Sequence, residues 1–175
     1  MQNNFSAALQ HTLREEGGFS DHPKDPGGAT MKGVTLDTYR TYRRNPHLTA
    51  EDLKNISDQE LRDIYRTRYW DAVKANDLPA GVDFCVFDCA VNSGPGRAAK
   101  ILQEVVGAKP DGGIGPLTLS AVRAHCITAE DTKSLINAFC DKRLQFWKSL
   151  PTYGTFGAGW SARGERVRKD AIAMV

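Results

Sequence analysis

Residues 80–92 read AGVDFCVFDCAVN, and this stretch decides the fold. Drawn as a helix it carries apolar side chains on nearly every side, which makes it a buried central helix instead of a surface one. Asp88 and Asn92 interrupt it one turn apart, and buried polar groups need partners. With Ser93 they either reach the floor of a cleft or form a polar network holding two helices together. The requirement that buried groups be satisfied favours the network.

Working outward, helices follow on both sides. Ser57 and Glu60 make a capping box for a helix through Tyr69 that buries Leu61, Ile64 and Tyr65. Thr49 with Asp52 opens a short helical turn, and Thr35 caps a helix that Asn45-Pro46 stops. Phe5, Leu9 and Leu13 recur every four residues, one stripe of a helix over 4–16 with Gly17-Gly18 as its cap. A short hairpin is expected around Met31 to Thr35. Beyond the centre, Ser93-Gly94-Pro95 turns into a helix through Val106, and Pro116 suits the first position of another. Further helices are expected over 116–126, 131–149 and 159–174, the last after an aromatic loop from Pro151 to Gly159. No segment alternates as a strand should. The fold class is mostly α, with two lobes joined by the central helix.

Composition narrows function without naming it. The chain has 175 residues, 41% hydrophobic and 25% charged, as in ordinary globular proteins. A net charge of +2 is too weak to argue for nucleic acid. No apolar run has the length of a membrane span, and the N-terminus lacks the pattern of a secretory signal. The expectation is a chain made in the cytoplasm, without membrane insertion, that something else must move if it works elsewhere. Cys85, Cys89, Cys126 and Cys140 lack the spacing of a zinc site or a disulfide framework and read as structural thiols.

Several familiar motifs fail. Gly94-Pro95-Gly96 follows a helix where a dinucleotide site needs a strand, and Lys100 lacks the glycines of a phosphate loop. The region from Asp21 to Gly28 lacks calcium-ligand spacing, and His22 has no further metal ligands nearby. The four histidines assemble no Ser-His-Asp set.

One stretch carries possible chemistry: EGGFSDHPKDPGGATMKGVT, residues 16–35. Glu16 stands at the C-terminal end of the first helix, where the negative end of the macrodipole favours a protonated acid. A helix built only for stability would place Lys or Arg there. Phe19 could add desolvation. Asp25 lies in an open, polar Pro-Lys-Asp-Pro-Gly-Gly turn where a carboxylate stays ionised. Two carboxylates in contrasting surroundings fit glycoside hydrolysis, and Thr30 would hold a water against Asp25. By position alone, a surface Glu, a turn-forming Asp and a structural Thr fit as well.

The same run resembles the signature of glycoside hydrolase family 108, phage-type N-acetylmuramidases. The order Glu, eight residues, Asp, then Thr is also similar to the Glu-Asp-Thr triad of phage-type lysozymes. AVNSGPGRAAKILQ, DGGIGPLTL and GWSARGERV extend the likeness over nearly the whole chain. The resemblance implies a lysozyme-like two-lobed fold packed as one compact unit, with a catalytic lobe over 1–79 and a helical peptidoglycan-binding-like lobe over 80–175. It makes Glu16 the general acid, Asp25 the base or electrostatic partner of a water, and Thr30 the residue orienting that water. Glu15 is the rival acid, but it does not directly precede the glycines and points about 100° away. Asn92 and Tyr153 are candidate substrate contacts, and Trp70, Phe156 and Trp160 could stack on sugars or simply pack. The implied activity is hydrolysis of the β-1,4 bond between N-acetylmuramic acid and N-acetylglucosamine, with no cofactor or metal. A monomeric phage or prophage endolysin released through a holin-type pore fits, as does an exported antagonism effector. A lytic transglycosylase and a non-catalytic wall-binding module are the alternatives.

Overall fold

A computed structural model describes residues 4–21 and 28–175. The chain is mostly helical as expected, with nine α-helices and one small antiparallel sheet among the described residues. It divides into two compact units, Leu9–Thr67 and Met1–Ala8 with Arg68–Val175. No helix among the described residues is long and apolar enough to cross a membrane.

The smaller unit holds most of α1 (Phe5–Glu15), the three strands, and α2 (Leu36–Arg43), α3 (Ala50–Lys54) and α4 (Asp58–Tyr65). Local capping starts these helices. Thr35 accepts from the Thr38 N–H, while Thr49 with Asp52 and Ser57 with Glu60 form complete capping boxes. Glu60 also receives Arg43 Nη1 at 2.6 Å and the Tyr39 hydroxyl at 3.3 Å, tying α2 to α4. Strands β1 (Phe19–Ser20), β2 (Thr30–Met31) and β3 (Val34–Thr35) pair in order, with Phe19 opposite Met31, and Met31 opposite Val34. The hairpin expected at Met31 to Thr35 is thus present and gains a third strand. Its two-residue turn, Lys32-Gly33, has positive φ at both positions (46° and 77°), the primed turn that matches strand twist.

In the larger unit, α5 (Val82–Ser93) is the buried helix expected, with every residue from 82 to 90 buried. It lies wholly inside this unit, where α6 (Pro95–Val105), α8 (Ala129–Lys148) and α9 (Tyr153–Ala173) pack around it. Phe5, Trp70 and Phe87 meet edge to face at 5.4–6.0 Å at one side of the core. Before α7 (Pro116–Ala124), the Asp111-Gly112-Gly113 turn is pinned by buried Gln103. Its amide donates to Asp111 Oδ1 (2.8 Å) and the Gly113 carbonyl (2.9 Å), and its oxygen receives the Gly112 N–H.

Two boundaries differ from expectation. The helix begun at Ser57 changes to a π-helical turn over Arg66–Trp70, so α4 itself ends at Tyr65. The aromatic loop expected over 151–159 is helical from Tyr153. Glycines 154, 157 and 159 suggest a loop, but Tyr153, Phe156 and Trp160 fall at helical spacing and pack their rings together.

Candidate functional site

Glu16 follows the last residue of α1 and is half-buried. It sits on the hairpin turn: a Cβ added to Gly33 would lie 3.0 Å from Glu16 Oε2 and 2.5 Å from Tyr65 Oη. The Tyr65 hydroxyl donates to the Lys32 carbonyl at 2.8 Å, which fixes the turn. Gly33 is therefore required twice, for its positive φ and for the absent side chain. The turn's narrowness lets the carboxylate rest against backbone.

An open cavity of about 440 Å³ borders the carboxylate, lined by Gln10, Leu13, Arg14, Glu16, Gly17, Gly18 and Lys32. Two cationic side chains thus flank one acid. Lys32 Nζ also lies 3.8 Å from Asp58 Oδ1, both exposed, a pair that water screens strongly. Phe19, considered as a shield for Glu16, is paired with Met31 and carries the Lys54 ammonium 4.7 Å over its ring. Thr30 is half-buried in the middle strand, between Ser20 and Thr35. The structure thus places Glu16 and Thr30 in the same unit, one at the helix end and one leading into the turn it touches. Asp25 and His22 lie outside the described residues.

The other two candidates, Asn92 and Tyr153, belong to the larger unit, where two tryptophans lie between them. Asn92 is exposed at the end of α5, and its Oδ1 accepts from Trp147 Nε1 at 3.2 Å. Trp147 lies 6.2 Å from Trp160, which lies 6.3 Å from Tyr153. Tyr153 is half-buried and its hydroxyl meets Ser161 Oγ at 3.1 Å. Trp70, by contrast, is a core residue whose indole N–H donates to Asn76 Oδ1.

Asp88 is fully buried and takes the network role. Arg163 Nη2 reaches its Oδ1 and Arg143 Nη2 its Oδ2, each at 2.8 Å. Burial pushes the Asp88 carboxyl up, but the two guanidiniums outweigh it and hold the group below the usual carboxylate range. The Arg143 guanidinium also lies 4.4 Å over the Trp147 ring, while its Nε and Nη1 have no hydrogen-bond acceptor among the described residues. Sequence reasoning missed Arg143 and Gly33. Arg143 stands 55 residues from Asp88, and Gly33 is indistinguishable in the sequence from any other turn glycine.

Among the described residues no group of three or more His, Cys, Asp or Glu side chains could hold a metal ion. All four cysteines are free thiols, as their context suggested.

The model of the glycosyl hydrolase 108 family matches residues 9–94, and that of a predicted peptidoglycan domain matches residues 97–165. The solved structure of Brucella abortus SagA is similar over 99% of this chain and 97% of its own, at 45% identity and a TM-score of 0.85. A search of curated proteins finds no match. With two family models in chain order and a full-length likeness to a solved structure, the chain belongs to the glycosyl hydrolase 108 family and is a peptidoglycan hydrolase.

Proposed function

We propose that this hydrolase is an N-acetylmuramidase, cleaving the β-1,4 bond between N-acetylmuramic acid and N-acetylglucosamine, with Glu16 as the general acid. The observation that carries the reading is the half-buried Glu16 carboxylate at a helix end, held against a glycine turn and bordering an open cavity. A group so placed can protonate a glycosidic oxygen entering from the open side. Arg14 and Lys32 on the cavity wall suit the anionic lactyl-peptide branches of the wall polymer.

Asp25 serves as base or electrostatic partner for the attacking water, and Thr30 orients that water. Catalysis falls to residues 1–79 and retention of the glycan to residues 80–175. If the enzyme inverts, the two carboxyl groups stand roughly 6.5–9.5 Å apart when substrate is bound. The chain acts as a monomer in a phage or prophage lysis programme, folding in the cytoplasm and reaching the wall through a holin-type pore.

Purified sacculi test the reading. The unaltered protein should clear a sacculus suspension and release fragments with reducing N-acetylmuramic acid ends, while Glu16→Gln should lose activity by about a thousandfold or more. Anhydro ends in the products would replace the hydrolase with a transglycosylase. Equal clearing by both proteins would remove Glu16 from the chemistry.

A further inference from the structure

We propose that the larger unit carries its own sugar-stacking subsite, a strip running from the Asn92 amide to the Phe156 ring that takes an N-acetylated hexosamine of the glycan strand. The proposal deepens the reading of the protein as a peptidoglycan hydrolase and rests on it.

At one end of the strip is an oriented hydrogen-bond donor. An indole N–H can only donate, so the bond from Trp147 Nε1 fixes Asn92 with Oδ1 turned inward. The Ser93 hydroxyl donates to the same oxygen at 2.9 Å. Both bonds use the oxygen. The Asn92 amide nitrogen is left on an exposed residue with two hydrogens and no protein acceptor among the described residues. Such a group matches the carbonyl oxygen of an acetamido substituent.

At the other end is an apolar plate. Phe156 is 54% exposed, although large apolar side chains are normally covered. It stacks on Trp160 at 5.9 Å with 28° between ring planes, and Trp160 in turn rests 6.2 Å from Trp147. The ring is thus backed by Trp160 and still more than half exposed. Gly159, one turn on from Phe156, would meet no atom within 4 Å if it had a side chain. Packing does not demand this glycine, and glycine is a poor helix residue. The axial C–H face of a pyranose needs a flat, unobstructed ring.

Size and chemistry select the occupant. One exposed ring and a partly covered indole offer far less than the ~800 Å² per partner of a stable protein interface. The exposed ring suits the face of a pyranose, and the amide donor suits an acetamido group on the same glycan strand. The strip lies within the span matched by the predicted peptidoglycan domain, except for Asn92, just before it.

Binding to purified sacculi and to the tetrasaccharide of N-acetylglucosamine tests the subsite, with every protein also carrying Glu16→Gln to stop turnover. Phe156→Ala should weaken binding to both probes roughly tenfold, as expected for loss of an aromatic anchor, and Phe156→Tyr should restore it. Asn92→Asp keeps the acceptor for Trp147 but removes the outward donor, and should also weaken both. Unchanged melting of each variant shows that the strip and not the fold was altered. If the Glu16→Gln parent binds sacculi and the strip variants bind equally well, the subsite is wrong and the hydrolase reading stands. If the parent binds neither probe and the unaltered protein leaves sacculi intact, the hydrolase reading itself fails. A loss of self-association in Phe156→Ala, with sugar binding intact, would assign the ring to a second copy and overturn the proposal.

Discussion

Gly33 and Glu16 stand so close that a single methyl group on the first would press on the carboxylate of the second, 3.0 Å from Oε2. The same methyl would come within 2.5 Å of the Tyr65 hydroxyl. Gly33→Ala therefore combines an unfavourable φ with a steric conflict on two sides. It should destabilise the protein by about 1–3 kcal/mol and reduce lysis of sacculi far more than that loss explains. Thermal melting beside a turbidity assay separates the two effects, and a variant of normal activity would remove the turn from any role in placing Glu16.

Tyr65→Phe isolates the hydrogen bond from the contact. The ring stays, and the bond to the Lys32 carbonyl, 2.8 Å long, is lost. Stability should fall by about 1 kcal/mol, the usual worth of one such bond. Activity should fall with it, because the turn beneath Glu16 loses its tether. Unaltered activity with lowered stability would limit Tyr65 to the fold.

Asp88→Asn should be among the most damaging single changes, at roughly 3–5 kcal/mol, because it leaves two guanidiniums buried against a neutral amide. The same triad sets the acid limit. The Asp88 carboxyl is lowered from its unfolded value near 3.8, so its stabilisation is present above that pH and lost as pH falls through the lower, folded value. Chemical denaturation across pH 2–5 should show this loss in the unaltered protein. Asp88→Asn should lack that component.

The alkaline side follows from the thiols. Burial pushes the Cys89 thiol up to about 11 from an ordinary 9.0. Its contribution is present below pH 9 and is lost as pH rises towards 11, because only the unfolded chain ionises in between. Reaction with a disulfide reagent at pH 8 should accordingly find one accessible thiol in the native protein, the half-buried Cys126. Cys85, Cys89 and Cys140 should respond only after unfolding. Fast reaction of more than one thiol would contradict the packing described for α5 and α8.

The sequence made α5 legible because burial on all sides leaves a composition no surface helix has. The caps at Thr35, Thr49 and Ser57 were equally plain, since each is written within four residues. What it did not reveal depends on distance. Asp88 announced that it needed a partner, but Arg143 and Arg163 lie 55 and 75 residues away and resemble ordinary helical arginines. The start of α9 was hidden by its glycines, which outweighed the helical spacing of three aromatic rings. In the site, Glu16 and the hairpin could be read locally. The contact between them could not, because a missing side chain at Gly33 has no signature of its own.

Trp147 links the interior of the larger unit to its surface. One face receives the Arg143 guanidinium of the buried triad, and its indole N–H orients the exposed Asn92 amide. A change at this single position would loosen the core and turn the surface amide at the same moment. Replacing this tryptophan would therefore require rebuilding both the charge network and the outward-facing amide, whereas a change at Phe156 or Asn92 leaves the triad in place.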